Sequence, residues 1–147
     1  MKLRSINPLL SVFAICIGLV ACNETETATE ESAPEETQAS LEVVDVDAAA
    51  ADKLLKDDSE VVVVDVRTPE EFKEGHLKDA VNIDFKNENF ESELEKLDPD
   101  KTYLVHCRSG SRSGQSLAVF EKLNFTKLYH LTPGYNGWVD AGNEVVK

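Results

Sequence analysis

Residues Val61–Gly75 read VVVVDVRTPEEFKEG, and this stretch decides the fold. Val61 to Val64 is apolar at every position, so neither face of that strand expects water. Such a run belongs in the middle of a parallel sheet covered by helices on both sides. Thr68-Pro69-Glu70-Glu71 then has the pattern of a capping box with proline at the first helical position, and Gly75 is a natural stop.

Working outward, strands and helices continue to alternate. Leu41 to Val46 is β-branched and predicts a strand, and Asp47 caps a helix running through Lys56. After Gly75, Val81-Asn82-Ile83 predicts another short strand. Phe90, Leu94 and Leu97 recur at helical spacing and mark a helix with one buried face. Asp98-Pro99-Asp100 turns the chain into a strand over Thr102–His106. A helix follows over Ser113–Leu123, ended by Asn124, which tolerates the left-handed conformation. Lys127–Leu131 is a last strand, broken by Pro133-Gly134. This alternation predicts an α/β domain with a central, mostly parallel sheet flanked by helices. In such folds ligands bind beyond the carboxyl ends of the strands, which directs attention to the residues after His106.

The first 40 residues have another character. Lys2 and Arg4 precede a stretch from Pro8 to Ala21 that carries no charge, the layout of a secretory signal peptide, and it ends Leu19-Val20-Ala21-Cys22. That tetrapeptide resembles the lipobox of bacterial lipoproteins. The resemblance implies cleavage after residue 21, acylation of Cys22, and an exported chain anchored by lipid, facing the periplasm or the cell exterior. Residues 23–40 hold six Glu, no basic residue and no large apolar side chain. They cannot bury enough apolar surface to offset the entropy of ordering, so the expectation is a disordered acidic tether over 22–40. The domain then occupies residues 41–147, with 22 acidic and 13 basic residues and a net charge of −9. That balance argues against nucleic acid as a partner, and against attraction to anionic lipid other than through an acyl anchor.

Of the three cysteines, Cys16 falls in the leader and Cys22 at its end, leaving Cys107 alone in the domain. An internal disulfide and a cysteine-rich zinc site are both excluded there. His76, His106 and His130 are scattered and make no metal site, so no metal or cofactor is expected. His76, at a helix end, is expected to bond local backbone; His106 and His130 read as strand residues. Tyr135 and Trp138 read as core and rim packing groups, with Tyr135 also placed to flank the pocket mouth.

Cys107 opens the segment Cys107-Arg108-Ser109-Gly110-Ser111-Arg112-Ser113, between a strand and a helix. A loop in that position can turn several backbone N–H groups toward one point, and the helix adds its positive end. Gly110 permits backbone angles closed to other residues, and Arg108 and Arg112 bring fixed charge. Each feature favours thiolate over thiol, so Cys107 is the candidate nucleophile.

Cys-Arg-Ser-Gly-x-Arg-Ser closely resembles the active-site loop of single-domain rhodaneses. Asp65-Val66-Arg67-Thr68-Pro69-Glu70-Glu71-Phe72, Gly75-His76-Leu77 and Ala80-Val81-Asn82-Ile83 resemble that family's second signature. Pro133-Gly134, Trp138 and Ala141-Gly142 are a weaker third match, with Pro133 standing where many relatives have glycine.

The resemblance implies a three-layer rhodanese-like fold and a persulfide cycle. Cys107 takes sulfur from a small sulfur-containing anion such as thiosulfate, or from a persulfide donor, and hands it to a thiol or to cyanide. It gives the N–H groups of Arg108, Ser109, Gly110, Ser111, Arg112 and Ser113 to the anion, and implies that Arg112 closes the loop. Asp65 and Arg67 orient that loop, line the pocket rim, or form a structural ion pair. Related phosphatases have five residues between Cys and Arg; here there are four, a ring suited to one sulfur atom. A binding module without catalysis is the rival from another class, disfavoured because it needs no nucleophile.

Overall fold

The computed structural model describes residues 40–147. The expected signal peptide, Cys22 and nearly all of the acidic tether lie outside the described residues. Within them the elements are β1 (Glu42–Val46), α1 (Ala48–Asp57), β2 (Val62–Asp65), α2 (Pro69–Glu74), β3 (Val81–Asn82), α3 (Phe90–Leu94), β4 (Thr102–His106), α4 (Ser111–Lys122), β5 (Lys127–Leu131) and α5 (Gly134–Asp140). The sheet order is β1-β5-β4-β2-β3, and every pairing is parallel. The expected mostly parallel α/β sheet is therefore wholly parallel among its named strands. β2 and β4, which carry the most apolar runs, sit inside it.

Alternation along the inner strands explains the two apolar layers. Val64, Val66, Tyr103, Val105 and Leu128 pack with Phe90, Leu94, Phe120 and Phe125, the residues of α3, α4 and the turn after α4. Val63, Leu104 and Leu131 face the other way, onto Ala51 of α1, Leu77 and Trp138 of α5. Each of the fully buried side chains among them contributes about 1.5–3 kcal/mol relative to exposure.

Local chemistry sets the helix starts. The Asp47 carboxylate accepts from the Ala50 N–H at 2.8 Å and opens α1. Thr68 and Glu71 complete the expected capping box at α2. Asn124 ends α4 with φ 59°, as its side chain allows.

Several strand and helix ends differ from expectation by a residue, and larger differences fall at α3, α4 and α5. The α3 helix closes at Leu94, and Leu97 is held by a further turn through Leu94 O. α4 begins at Ser111, two residues early, because Gly110 supplies the left-handed turn (φ 86°) that starts it. α5 was not expected at all: its Gly-Tyr-Asn-Gly start is a poor helix former, and burial of Trp138 against α1 and the sheet stabilises it instead.

Candidate active site

Cys107 follows β4, at the carboxyl edge of the sheet, and the early start of α4 puts Ser111, Arg112 and Ser113 in that helix's first turn. Their N–H groups have no partner within the helix and are free to point elsewhere. The N–H groups of Ser113, Ser109 and Arg112 point at the Cys107 thiol, and the Ser113 hydroxyl lies 3.6 Å from Sγ. Cys107 is 1 % exposed and touches the larger apolar layer, so it is the floor of the loop and not an open mouth. Burial pushes the thiol up. The Ser113 N–H and hydroxyl, then the Ser109 and Arg112 N–H groups, outweigh burial and bring it below the ordinary thiol value. What remains is a covered, polarised thiol in a cradle of amides.

The loop is clamped from α5. The N–H groups of Tyr135 and Asn136 donate to the carbonyls of Cys107 and Arg108 at 2.8 and 3.0 Å. Gly134 has φ 61°, and a Cβ there would come within 2.7 Å of Cys107 O and Arg108 O. The second residue of the Pro133-Gly134 pair is thus the one that must be glycine. Pro133, at φ −76°, fits its own ring geometry, so proline leaves the loop shape intact.

The resemblance gives Arg112 the closing of the loop; in the structure its N–H points at Cys107 while its side chain is engaged with Glu71. Its guanidinium forms a two-pronged pair with Glu71, at 2.7 and 2.9 Å, and Arg108 lies 3.9 Å from the same carboxylate. Glu71 therefore cancels one of the two loop charges, and the backbone amides carry more of the anion stabilisation. This second role of Glu71 was missed because the pairing spans 41 residues. The Arg112 guanidinium holds the Glu71 carboxyl down to about 2 against the upward push of burial, and the Thr68 N–H and the Arg67 charge add to it.

The sign of the resulting pH dependence follows. A carboxyl depressed in the folded state stabilises above its ordinary value of 4.5 and loses that contribution as pH falls toward 2. Urea unfolding of Glu71→Gln and the wild type should differ by a constant amount from pH 7 to about 5. The difference should shrink below about 4.5.

Asp65 and Arg67 form the structural pair that was one of the readings open from sequence. Arg67 is 3 % exposed and Asp65 wholly buried, with Nε and one terminal nitrogen of Arg67 within 2.6–3.0 Å of the carboxylate. Arg67 also donates to Gly75 O at 2.7 Å and lies 4.0 Å over the Tyr135 ring. It thereby ties the end of α2 to α5. Asp65→Ala leaves that guanidinium buried without its partner and should cost about 3–5 kcal/mol, read as a lower urea midpoint.

Arg67 also lines a cavity of about 250 Å³ beside the loop, with Glu71, Glu74, Arg108, Tyr135 and Asn136. A larger cavity of about 630 Å³ lies at the amino end of β2, against Trp138, and no residue of Cys107–Ser113 reaches it. Only the smaller one adjoins the thiol's loop.

The histidines differ from one another. His76 Nδ1 meets Phe72 O at 3.0 Å, the local backbone contact expected of it. His106 is fully buried, and burial first of all pushes it down, toward the neutral ring. His130 is no plain strand residue. Its Nε2 lies 3.0 Å from Ser113 Oγ and its Nδ1 2.9 Å from Asp45.

Fold and loop together place the chain in the class of parallel α/β domains built round a single cysteine at a strand-to-helix loop. The family model for the rhodanese-like domain matches residues 47–141, and the chain belongs to that family. Thiosulfate sulfurtransferase 18 of Arabidopsis thaliana is 34 % identical over 111 residues, covering 67 % of this chain and 80 % of the plant protein. A sulfurtransferase of Allochromatium vinosum is 27 % identical over 104 residues, covering 71 % and 95 %. Among solved structures, a rhodanese-related protein of Thermoplasma volcanium superposes with a TM-score of 0.62 at 26 % identity, covering 70 % and 97 %.

Proposed function

We propose that this domain is a sulfurtransferase that carries sulfane sulfur as a persulfide on Cys107. The observation that supports the reading is the set of three N–H groups and one hydroxyl directed at a thiol held below its ordinary value. The Cys107 thiolate attacks the outer sulfur of thiosulfate, the S–S bond to the sulfonate breaks, and sulfite leaves with the electron pair. The new persulfide is an anion, so the same N–H groups that favour the thiolate favour it too. An acceptor such as cyanide then attacks the outer sulfur, and the Cys107 thiolate departs. A thiol acceptor follows the same path and gives a small persulfide.

Donor approach is local. The domain carries a net charge of −9, so its long-range field opposes an anion. The exposed Arg108, at the cavity of about 250 Å³, and the loop N–H groups supply the attraction at close range. The sequence of the first 40 residues supports an exported, lipid-anchored carrier, with Cys22 as the acylated residue.

The test is direct. Purified protein is incubated with thiosulfate, and its intact mass is read before and after cyanide. A gain of one sulfur atom that cyanide removes as thiocyanate is the expected result. No sulfur adduct and no thiocyanate would overturn the reading.

A further inference from the structure

A thiol that is 1 % exposed has little direct contact with bulk water. Whatever sulfur chemistry Cys107 performs, the proton of its resting thiol needs a path. One chain of polar atoms starts at the sulfur. Cys107 Sγ lies 3.6 Å from Ser113 Oγ, and Ser113 Oγ lies 3.0 Å from His130 Nε2. His130 Nδ1 lies 2.9 Å from Asp45 Oδ1, whose side chain is 70 % exposed. The path runs from the floor of the loop, through a buried hydroxyl and a ring, to a carboxylate in water.

The sheet builds this chain. Asp45 and His130 are register partners across β1 and β5, so parallel pairing sets the carboxylate beside the ring. Ser113 comes from the first turn of α4 and is wholly buried. The surroundings of the ring are few. From β1 it meets Asp45; from α4 and its leading loop it meets Ser113, the Gly114 backbone position and the Gly110 carbonyl; its register partner on β4 is the apolar Val105. Among the hydrogen bonds and ion pairs of the described residues, Asp45 is the ring's one charged partner.

The partners assign the protons. An ionised Asp45 carboxylate only accepts, so Nδ1 carries a hydrogen. Nε2 faces the Ser113 hydroxyl at 3.0 Å and the Gly110 carbonyl at 3.3 Å. With a neutral ring, the Ser113 proton is drawn toward Nε2 and away from sulfur. With a proton on Nε2, that N–H donates to Ser113 Oγ, and the Ser113 hydrogen is released to Gly110 O at 3.0 Å or to Cys107 Sγ at 3.6 Å, of which a thiolate is the stronger acceptor.

We propose that Ser113, His130 and Asp45 form a proton relay that takes the Cys107 proton and leaves a thiolate held by the Ser113 hydroxyl. Cys107 S–H gives its proton to Ser113 Oγ as Ser113 O–H passes its own to His130 Nε2. No net atom is gained by Ser113. The products are the thiolate and an imidazolium whose Nδ1–H stays on Asp45. The relay runs backward when a thiol acceptor returns a proton to Cys107. His130 and Asp45 are positioning residues here, acting on sulfur through Ser113. The inference rests on the sulfurtransferase reading for its purpose, but its readout does not.

The readout is the pH profile of Cys107 alkylation by iodoacetamide, which needs no sulfur donor. In His130→Gln the midpoint should move up by about one pH unit, roughly tenfold less thiolate at a given pH below it, with the same limiting rate at high pH. Asp45→Asn, at an exposed edge position, should move it in the same direction by less. Ser113→Ala should match or exceed His130→Gln, and Ser113→Thr, which restores a hydroxyl, should recover most of the shift. A merely structural role would change melting behaviour and leave the midpoint in place. Profiles of His130→Gln and Asp45→Asn that superimpose on the wild type would overturn the relay, and the exposed Asp45 site guards against a folding failure. Thiocyanate formation is measured alongside. Normal turnover with unmoved midpoints sinks the relay alone; shifted midpoints with no thiocyanate in the wild type keep the relay and sink the sulfurtransferase reading.

Discussion

Replacing Cys107 by serine should reduce thiocyanate formation from thiosulfate and cyanide to the level of a protein-free control. The expected loss is on the order of 10⁴-fold or more, the scale seen when a covalent nucleophile is removed. The cradle cannot rescue the variant. Backbone N–H groups lower a thiol that starts only about two units above neutrality, whereas a serine hydroxyl starts far higher and forms no persulfide. Folding should survive, because serine is close to cysteine in size and the Ser113 hydroxyl and loop N–H groups satisfy its oxygen. The melting temperature should move by only a few degrees for a change of about 1 kcal/mol. An aryl phosphate should be turned over by neither protein. Sulfurtransfer that persists in Cys107→Ser would place the chemistry elsewhere in the chain.

Gly110→Ala should cost both stability and activity. Gly110 has φ 86°, where a side chain costs about 1–2 kcal/mol on its own. A Cβ there would also fall inside the contact distance of the Thr132 carbonyl oxygen, which is backbone and cannot swing aside. The loop must shift, and with it the N–H groups of the first turn of α4. A total of about 3 kcal/mol or more is expected, read as a lower urea midpoint. Alkylation of Cys107 should need a higher pH, since amides displaced by even a fraction of an ångström hold an anion less well. Gly142→Ala is the control: its φ is 77°, but a Cβ would meet nothing within 4 Å, so only the backbone cost applies.

Local rules made much of this legible. The apolar run of β2, the Thr68–Glu71 capping box, the Asn124 stop and the Cys107–Ser113 loop each carry their meaning within a few residues. The pieces that escaped are those made by distant partners. α5 forms from a glycine-rich stretch because Trp138 has a core to enter. Glu71 doubles as the anchor of Arg112, 41 residues away. Asp45 and His130 meet only because β1 lies beside β5, a pairing that no periodicity announces. The covered state of Cys107 also escaped, since a strand-end residue is open or closed according to what the loop and α5 place over it.

The neighbouring positions of β1 and β5 have a consequence for how the molecule comes into being. Among the described residues, the first strand, β1, finds its only sheet partner in the last, β5, with Asp45 and His130 separated by 85 residues. A polypeptide emerging amino end first leaves β1 waiting until the residues through Leu131 have arrived. Joining the termini is a late and slow event in such a topology. A chain lacking β5 would therefore leave β1 without a sheet partner and remove His130, the middle link of the proposed Cys107 path, in one stroke.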